Sequence, residues 1–150
     1  MKSVDFLNHL RKKHPDLVIQ GISSKYILSK SHAKKIIKIS IEANNSNNLL
    51  SKNLETDILM RFACTTQISK AITNAGLKPK QAFIIVAVGK KFSVKKMYPE
   101  LKPYLNSKTI SSNNSNFLKN QFKISKKQID SIYSTKPLED LLAEKAAILL

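Results

Sequence analysis

The chain has 150 residues, 42% of them hydrophobic, which is enough for the core of one domain over residues 1–150. Its apolar runs are too short to cross a bilayer, the N-terminus lacks the apolar segment of a signal peptide, and the single cysteine excludes an intrachain disulfide, so we expect a cytoplasmic protein without a membrane partner. A net charge of +16, from 26 basic and 10 acidic residues, indicates a polyanionic partner, most often nucleic acid.

The charge is unevenly distributed along the chain. Residues 1–53 carry ten basic and three acidic residues, and residues 90–127 carry ten and one. Between them, residues 54–89 are nearly neutral, with four basic and two acidic residues. Residues 128–150 are mildly acidic and apolar. The distribution predicts that the two basic regions bind a polyanion and that the C-terminal region binds a protein partner.

The first fifty residues predict two helices separated by a strand. Apolar residues at helical spacing in 4–13 predict a short helix that Pro15 ends, and Leu17–Ile22 is typical of a strand. A helix to about residue 43 follows, and Ser31 is expected to cap it. Three lysines share its polar face.

Two further helices are predicted in residues 54–76. Apolar side chains from Leu54 to Phe62 line one side of the first, and Met60 is expected to project opposite them, where it is exposed. Thr65 or Thr66 is expected to cap the second helix, which should bury its isoleucines and alanines. Gly76 is expected to end that helix in the left-handed conformation.

The remaining chain predicts a strand and a closing helix. Phe83–Val88 is apolar at every position, which predicts a strand covered on both faces. Lys90–Lys96 is interpreted as a basic loop or strand edge, since Pro99 follows it. Pro137 opens a last helix whose end is apolar on every side. Together these elements predict an α/β fold with a small mixed sheet covered by helices.

Residues of the common catalytic sites are sparse. The three glycines are too scattered for a phosphate-binding loop, and no histidine stands at metal-ligand spacing. Cys64 is interpreted as a buried thiol rather than a nucleophile, and Glu55 and Asp57 point apart and suit a helix N-terminus. We expect no catalytic residue, no metal and no cofactor. A small enzyme built on Cys64, a histidine and a carboxylate is the least favoured alternative.

The order of motifs in residues 17–150 resembles the PRPK-binding protein family, the small kinase-binding subunit of the KEOPS complex. The resemblance is carried by Glu55–Phe62, Gln67–Ala71, Gly76–Leu77, Phe83–Val88 and, in the closing helix, Glu144–Ile148. Archaeal members usually have an arginine just before Gln67, where this chain has Thr66.

The resemblance implies a non-enzymatic subunit that binds a Bud-type atypical kinase/ATPase. It also implies recruitment of tRNA, by its single-stranded CCA end, for threonylcarbamoyladenosine formation. The residues expected to bind RNA are Lys34, Lys35, Lys38, Arg61, Thr65, Thr66, Gln67 and Lys70. Those expected to bind the partner protein are Met60, Leu141, Ile148 and Leu149.

Each of these residues also has a plainer interpretation. The lysines are typical of a solvated helix face, and the two threonines with Gln67 are typical of helix caps. Arg61 is expected to lie over the core with its head in solvent, and a second core contact is an equal alternative for Met60. The alternative function, which depends on charge alone, is a generic basic RNA- or ribosome-associated protein.

Overall fold

The computed structural model describes residues 2–106 and 110–149. In order, its helices and strands are α1 Ser3–Lys13, β1 Val18–Ser23, α2 Lys30–Asn45, α3 Leu54–Ala63, α4 Ile68–Ala75, β2 Phe83–Val88, α5 Lys91–Leu101, α6 Asn114–Gln121, α7 Lys126–Asp130 and α8 Pro137–Ala147. Short 3-10 turns follow β1 and α5. The predicted α/β class is confirmed. No helix within the described ranges has the length and hydrophobicity of a membrane span.

The two strands pair antiparallel, in a register that sets Gln20 opposite Val86. The sheet has two strands in the described residues, so it is antiparallel and not mixed as expected. Side chains alternate along a strand. Accordingly Ile84 and Val86 belong to one apolar cluster, and Ile85 and Ala87 contact another. Thus β2 is covered on both faces, as its continuous apolar run predicted.

Two apolar clusters lie on opposite faces of the sheet. The larger is built around α3 and includes residues of α2, α4, α6 and α8. The smaller joins α1 to α5 through Leu7, Leu10, Met97 and Leu101. The fold therefore has three layers, with α1 and α5 on one side of the sheet and the α3 group on the other.

Side chains close the outer edge of β1. Arg11 Nε donates to the Ile19 carbonyl at 3.0 Å, and the Gly21 amide donates to Gln20 Oε1 at 3.0 Å. Gln20 Nε2 also donates to the carbonyl of Glu55 at 2.8 Å, which ties the strand to α3. These bonds occupy backbone groups that an exposed strand edge would offer to another chain.

Helix α5 occupies the segment that we interpreted as a basic loop or strand edge, so that prediction was wrong. Ser93, Met97 and Leu101 are buried at a spacing of four residues and hold the helix on the smaller cluster. Pro99 lies inside α5, near its C-terminal end. There it removes one backbone hydrogen bond, which the packing of the helix offsets.

Two predicted helix ends also differ from the structure. Ser29, not Ser31, caps α2, because its hydroxyl accepts from the His32 amide at 3.0 Å. Gly76 ends α4 in an extended conformation, with φ −74° and ψ 178°, and not in the left-handed one. A glycine is required there for another reason, since a Cβ would lie 2.4 Å from the Ile72 carbonyl oxygen.

Candidate functional site

The turn between α3 and α4 is fixed by backbone hydrogen bonds. Cys64 follows α3 in the left-handed conformation, with φ 50° and ψ 49°. Its amide donates to the Arg61 carbonyl, and the Thr65 amide donates to the Met60 carbonyl, which is the Schellman pattern. Thr65 Oγ1 then accepts from the Gln67 amide at 3.1 Å. The expected cap by Thr65 or Thr66 is therefore not formed, since Thr65 bonds the amide of Gln67, which precedes the helix.

Four of the eight residues expected to bind RNA are accessible at this turn. Thr66, Gln67 and Lys70 are exposed, and Thr65 is partly exposed. No side chain caps α4, so the amides of its first turn are not bonded by a capping side chain. These groups form a compact polar surface of hydrogen-bond donors and acceptors at one end of the molecule.

Arg61 does not belong to that surface. Its side chain is buried, at 3% exposure, and its Nε and Nη2 donate to the carboxylate of Asp57 at 2.7 and 3.2 Å. Nη1 donates to the carbonyl of Ala146 at 2.8 Å, near the end of α8. The expectation of a solvent-exposed head was therefore wrong, and the buried guanidinium is not accessible for the expected RNA contact. The sequence does contain a signal for this ion pair, because Asp57 and Arg61 are four residues apart on a predicted helix.

Met60 is also a core residue. It is 0% exposed, although periodicity placed it opposite the apolar side of α3. The prediction was wrong because α3 is covered all round, packing against α2, α4, α8 and β1. A methionine fills the irregular space between such layers well, so its side chain is not accessible at the surface.

The three lysines of α2 are in two different environments. Lys34 and Lys38 are exposed and available to a ligand. Lys35 lies 2.5 Å from Glu139 Oε2 and 2.6 Å from Asp140 Oδ1, which fixes α2 to the start of α8. The expected row of three RNA-binding lysines is therefore reduced to two.

Glu139 is the buried centre of this contact. Ser29 and Ser31 donate to its two oxygens at 2.9 and 2.8 Å, in addition to Lys35. Burial opposes ionisation, but the Lys35 ammonium and the two hydroxyls outweigh it and hold the pKa of Glu139 at about 2. The sequence analysis did not identify this residue, because its partners are more than a hundred positions away.

His32 lies beside the same cluster and next to the end of α3. Its ring packs edge-on against Phe62, with centroids 5.7 Å apart, and its Nδ1 accepts from the Leu28 amide at 3.0 Å. Burial lowers the pKa of His32 to about 4, although Glu139 opposes the shift. The ring is therefore neutral at physiological pH, and the start of α2 is held next to the α3–α4 turn.

Apolar side chains are exposed at the same end of the molecule. Ile148 follows α8 and is 67% exposed, whereas Leu141 and Leu149 are partly buried. Ile68 and Ile72 were expected to be buried, but they are 46% and 57% exposed. The reason is that α4 buries its small Ala71 and Ala75, which leaves the isoleucines outside the contact.

The bond from Arg61 to Ala146 joins these apolar and polar groups into one region. It holds the end of α8 at the end of α3, directly before the turn into α4. We call residues Cys64–Ile72 together with Ile148 and Leu149 the junction end. It combines exposed isoleucines with exposed hydrogen-bonding side chains, an arrangement suited to binding macromolecules.

Cys64 itself is poorly suited to nucleophilic attack. Burial raises the pKa of its thiol to about 11, which Lys145 only partly opposes. The thiol is therefore protonated at neutral pH. In residues 2–106 and 110–149, no three His, Cys, Asp or Glu side chains group as metal ligands.

Comparison with known proteins identifies the family. A search of curated proteins gives no significant match. The sequence profile of the kinase binding protein CGI-121 family matches residues 2–148, nearly the whole chain. This match confirms the resemblance drawn from the motif order of the sequence. The chain belongs to the kinase binding protein CGI-121 family.

Proposed function

We propose that this chain is a non-catalytic subunit of the KEOPS complex. In this proposal it binds the Bud-type atypical kinase/ATPase and brings tRNA, by its single-stranded CCA end, to the enzyme that forms threonylcarbamoyladenosine. The observation that supports it best is the junction end, where exposed isoleucines adjoin exposed polar side chains. Membership of a kinase-binding family agrees with the kinase partner, and the net charge of +16 agrees with the tRNA partner.

The apolar part of the junction end is the proposed kinase contact. Ile148 and Ile72 expose more than half of their surface, and burying such a side chain on a partner contributes about 1.5–3 kcal/mol. Leu141 and Leu149 flank Ile148 and would widen the contact. Met60 supports this surface from within the core and does not touch the kinase.

The polar part of the junction end is the proposed contact for the CCA end. Single-stranded RNA is bound through the edges of its bases and through its phosphates. Thr65, Thr66 and Gln67 offer hydroxyl and amide groups to base edges, and the first amides of α4 suit a phosphate. Archaeal members usually have an arginine where this chain has Thr66. Because Arg61 is buried, we propose that the exposed Lys70 supplies the cation at this turn. Lys34 and Lys38 of α2 add positive charge.

The kinase contact is tested with Ile148→Asp, using Val4→Asp as its control. Both residues are exposed and apolar, but Val4 lies on α1, in the layer across the sheet. Calorimetric titration with the Bud-type kinase should show an affinity at least ten-fold lower for Ile148→Asp, about 1.4 kcal/mol. Val4→Asp should bind like the unchanged chain. Equal affinities for the two variants would contradict the proposed surface.

The RNA contact is tested with intact tRNA and with tRNA trimmed of its CCA end. The unchanged chain should bind intact tRNA more tightly, and Lys70→Gln should weaken binding to intact tRNA more than to trimmed tRNA. Equal binding of both RNAs would refute recruitment by the CCA end. It would favour the alternative of a generic basic RNA-binding protein.

A further inference from the structure

A straight row of lysines follows the solvent side of α5. Lys91, Lys95 and Lys102 are exposed, and Tyr98, which is 52% exposed, lies between them. At about 100° per residue, these four side chains fall within about 60° of one another. They face away from Met97, which anchors α5 in the smaller apolar cluster.

The positive charges of this row are not neutralised within the described residues. None of its three lysines forms an ion pair there. Glu100, the acidic residue of α5, is engaged by Lys13 and His14 of the neighbouring α1 segment. Lys91 and Lys95 of α5, with Lys102 directly after it in helical conformation, therefore attract a polyanion.

The row is separate from the junction end. Helix α5 packs on one face of the sheet through the smaller cluster, and α3 and α4 belong to the cluster on the other face. Each layer is about 10 Å thick, so the two surfaces are about 30 Å apart across the molecule. A ligand that contacts both must therefore be an extended polyanion.

We propose that the α5 row binds the phosphate backbone of a double-helical segment of RNA. The inference depends on the proposed function, because this duplex would belong to the same tRNA whose CCA end contacts the junction end. Lysine is a point charge that suits phosphates, and the deep, narrow major groove of duplex RNA leaves the backbone as the accessible contact for such side chains. Tyr98 supplies a hydroxyl donor for a phosphate oxygen.

The geometry of α5 favours a duplex over other polyanions. The lysines are spaced by about 6 and 10 Å along the helix axis, a regular row that matches a regular backbone. Single strands are usually held in a groove lined with aromatic rings, and this helix face is convex. A membrane surface would require a continuous apolar face beside the lysines. The face of α5 that carries Met97 and Leu101 is buried in the core, and the exposed Phe92 is a single apolar side chain rather than a face.

The inference is tested with the triple variant Lys91→Gln/Lys95→Gln/Lys102→Gln. The matched control is Lys52→Gln/Lys126→Gln/Lys127→Gln, which removes the same charge from exposed lysines elsewhere. We expect the α5 triple to lower tRNA affinity at least ten-fold at about 0.1 M salt. The slope of log K against log salt should become shallower by about 2–3. Binding of a single-stranded CCA oligonucleotide should not change.

The outcomes separate this inference from the proposed function. If the unchanged chain binds no tRNA, both are wrong. If it prefers intact over trimmed tRNA but the α5 triple binds tRNA as tightly as the control triple does, only the inference is wrong. The inference would also be wrong if both triples lost tRNA affinity equally. It would be wrong as well if the α5 triple lost as much affinity for the CCA oligonucleotide as for tRNA. Thermal unfolding of both triples checks that the fold is retained.

Discussion

Replacing Arg61 by methionine tests the buried contact that holds the junction end together. Methionine keeps much of the apolar stem but leaves Asp57, which is 0% exposed, without its cation. Removing one partner of a buried ion pair typically costs about 3–5 kcal/mol. The carbonyl of Ala146 also loses its donor at 2.8 Å. We therefore expect the free energy of unfolding to fall by about 3–5 kcal/mol.

The double variant Asp57→Asn/Arg61→Met separates the charge from the packing. It removes both charges and keeps an oxygen that can accept from the Leu50 amide, which bonds Asp57 at 2.8 Å. Most of the lost stability should return, leaving a deficit of about 1–2 kcal/mol for the unpaired carbonyl. Urea unfolding with an unchanged m-value measures both variants.

The exposed Lys70 provides the matched control. Lys70→Met should change stability by less than about 0.5 kcal/mol and should weaken tRNA binding. Arg61→Met should do the opposite, losing stability while the folded protein keeps its intrinsic affinity for tRNA. If Arg61→Met changed stability by less than about 1 kcal/mol and lost RNA affinity, the buried position of Arg61 would be wrong.

Three more variants test the surroundings of this contact. His32 has a pKa lowered to about 4 from 6.5, so the unfolded chain binds the proton first as pH falls. The free energy of unfolding should therefore fall by about 3 kcal/mol as the pH is lowered from 6.5 to about 4. His32→Gln should remove most of this pH dependence in urea unfolding measured at a series of pH values. Glu139→Gln should lose about 2 kcal/mol at pH 7, and a loss below about 0.5 kcal/mol would contradict its contact with Lys35. Gly76→Ala should lose about 1–3 kcal/mol, visible as a lower Tm, because its Cβ meets the Ile72 carbonyl.

The elements that the sequence predicts well are those with local chemical signals. Ser125 and Gln128 form a capping box, for which a spacing of three residues is the local signal, and Pro137 begins α8 as expected. The apolar run Phe83–Val88 is covered on both faces. Helix α5 was not predicted, because Pro99 indicated an interruption of regular structure. The spacing of four residues between its buried side chains becomes informative only once the smaller cluster that covers them is known.

The candidate site was predicted less completely, since helical periodicity gives the direction of a side chain but not what covers it. Met60 points away from the first apolar side of α3 and still meets a second layer. Lys35 pairs with two carboxylates of α8, and Arg61 donates to the Ala146 carbonyl near its end. The position of α8 follows from the tertiary fold alone. Conversely, Ile68 and Ile72 are exposed because alanines let α4 approach α3 closely. Thr66, Gln67 and Lys70 are exposed at the turn, but their role in RNA binding stays a prediction.

Recruitment of tRNA by its CCA end is tested by the apparent KM for tRNA of the reconstituted threonylcarbamoyl-transfer assembly, measured with and without this chain. Adding the chain should lower KM for intact tRNA and have little effect with tRNA that lacks the CCA end. The Lys70→Gln and Ile148→Asp variants should each reduce that gain. A KM that does not respond to the chain, or a chain that forms the modified nucleoside without the other subunits, would contradict it.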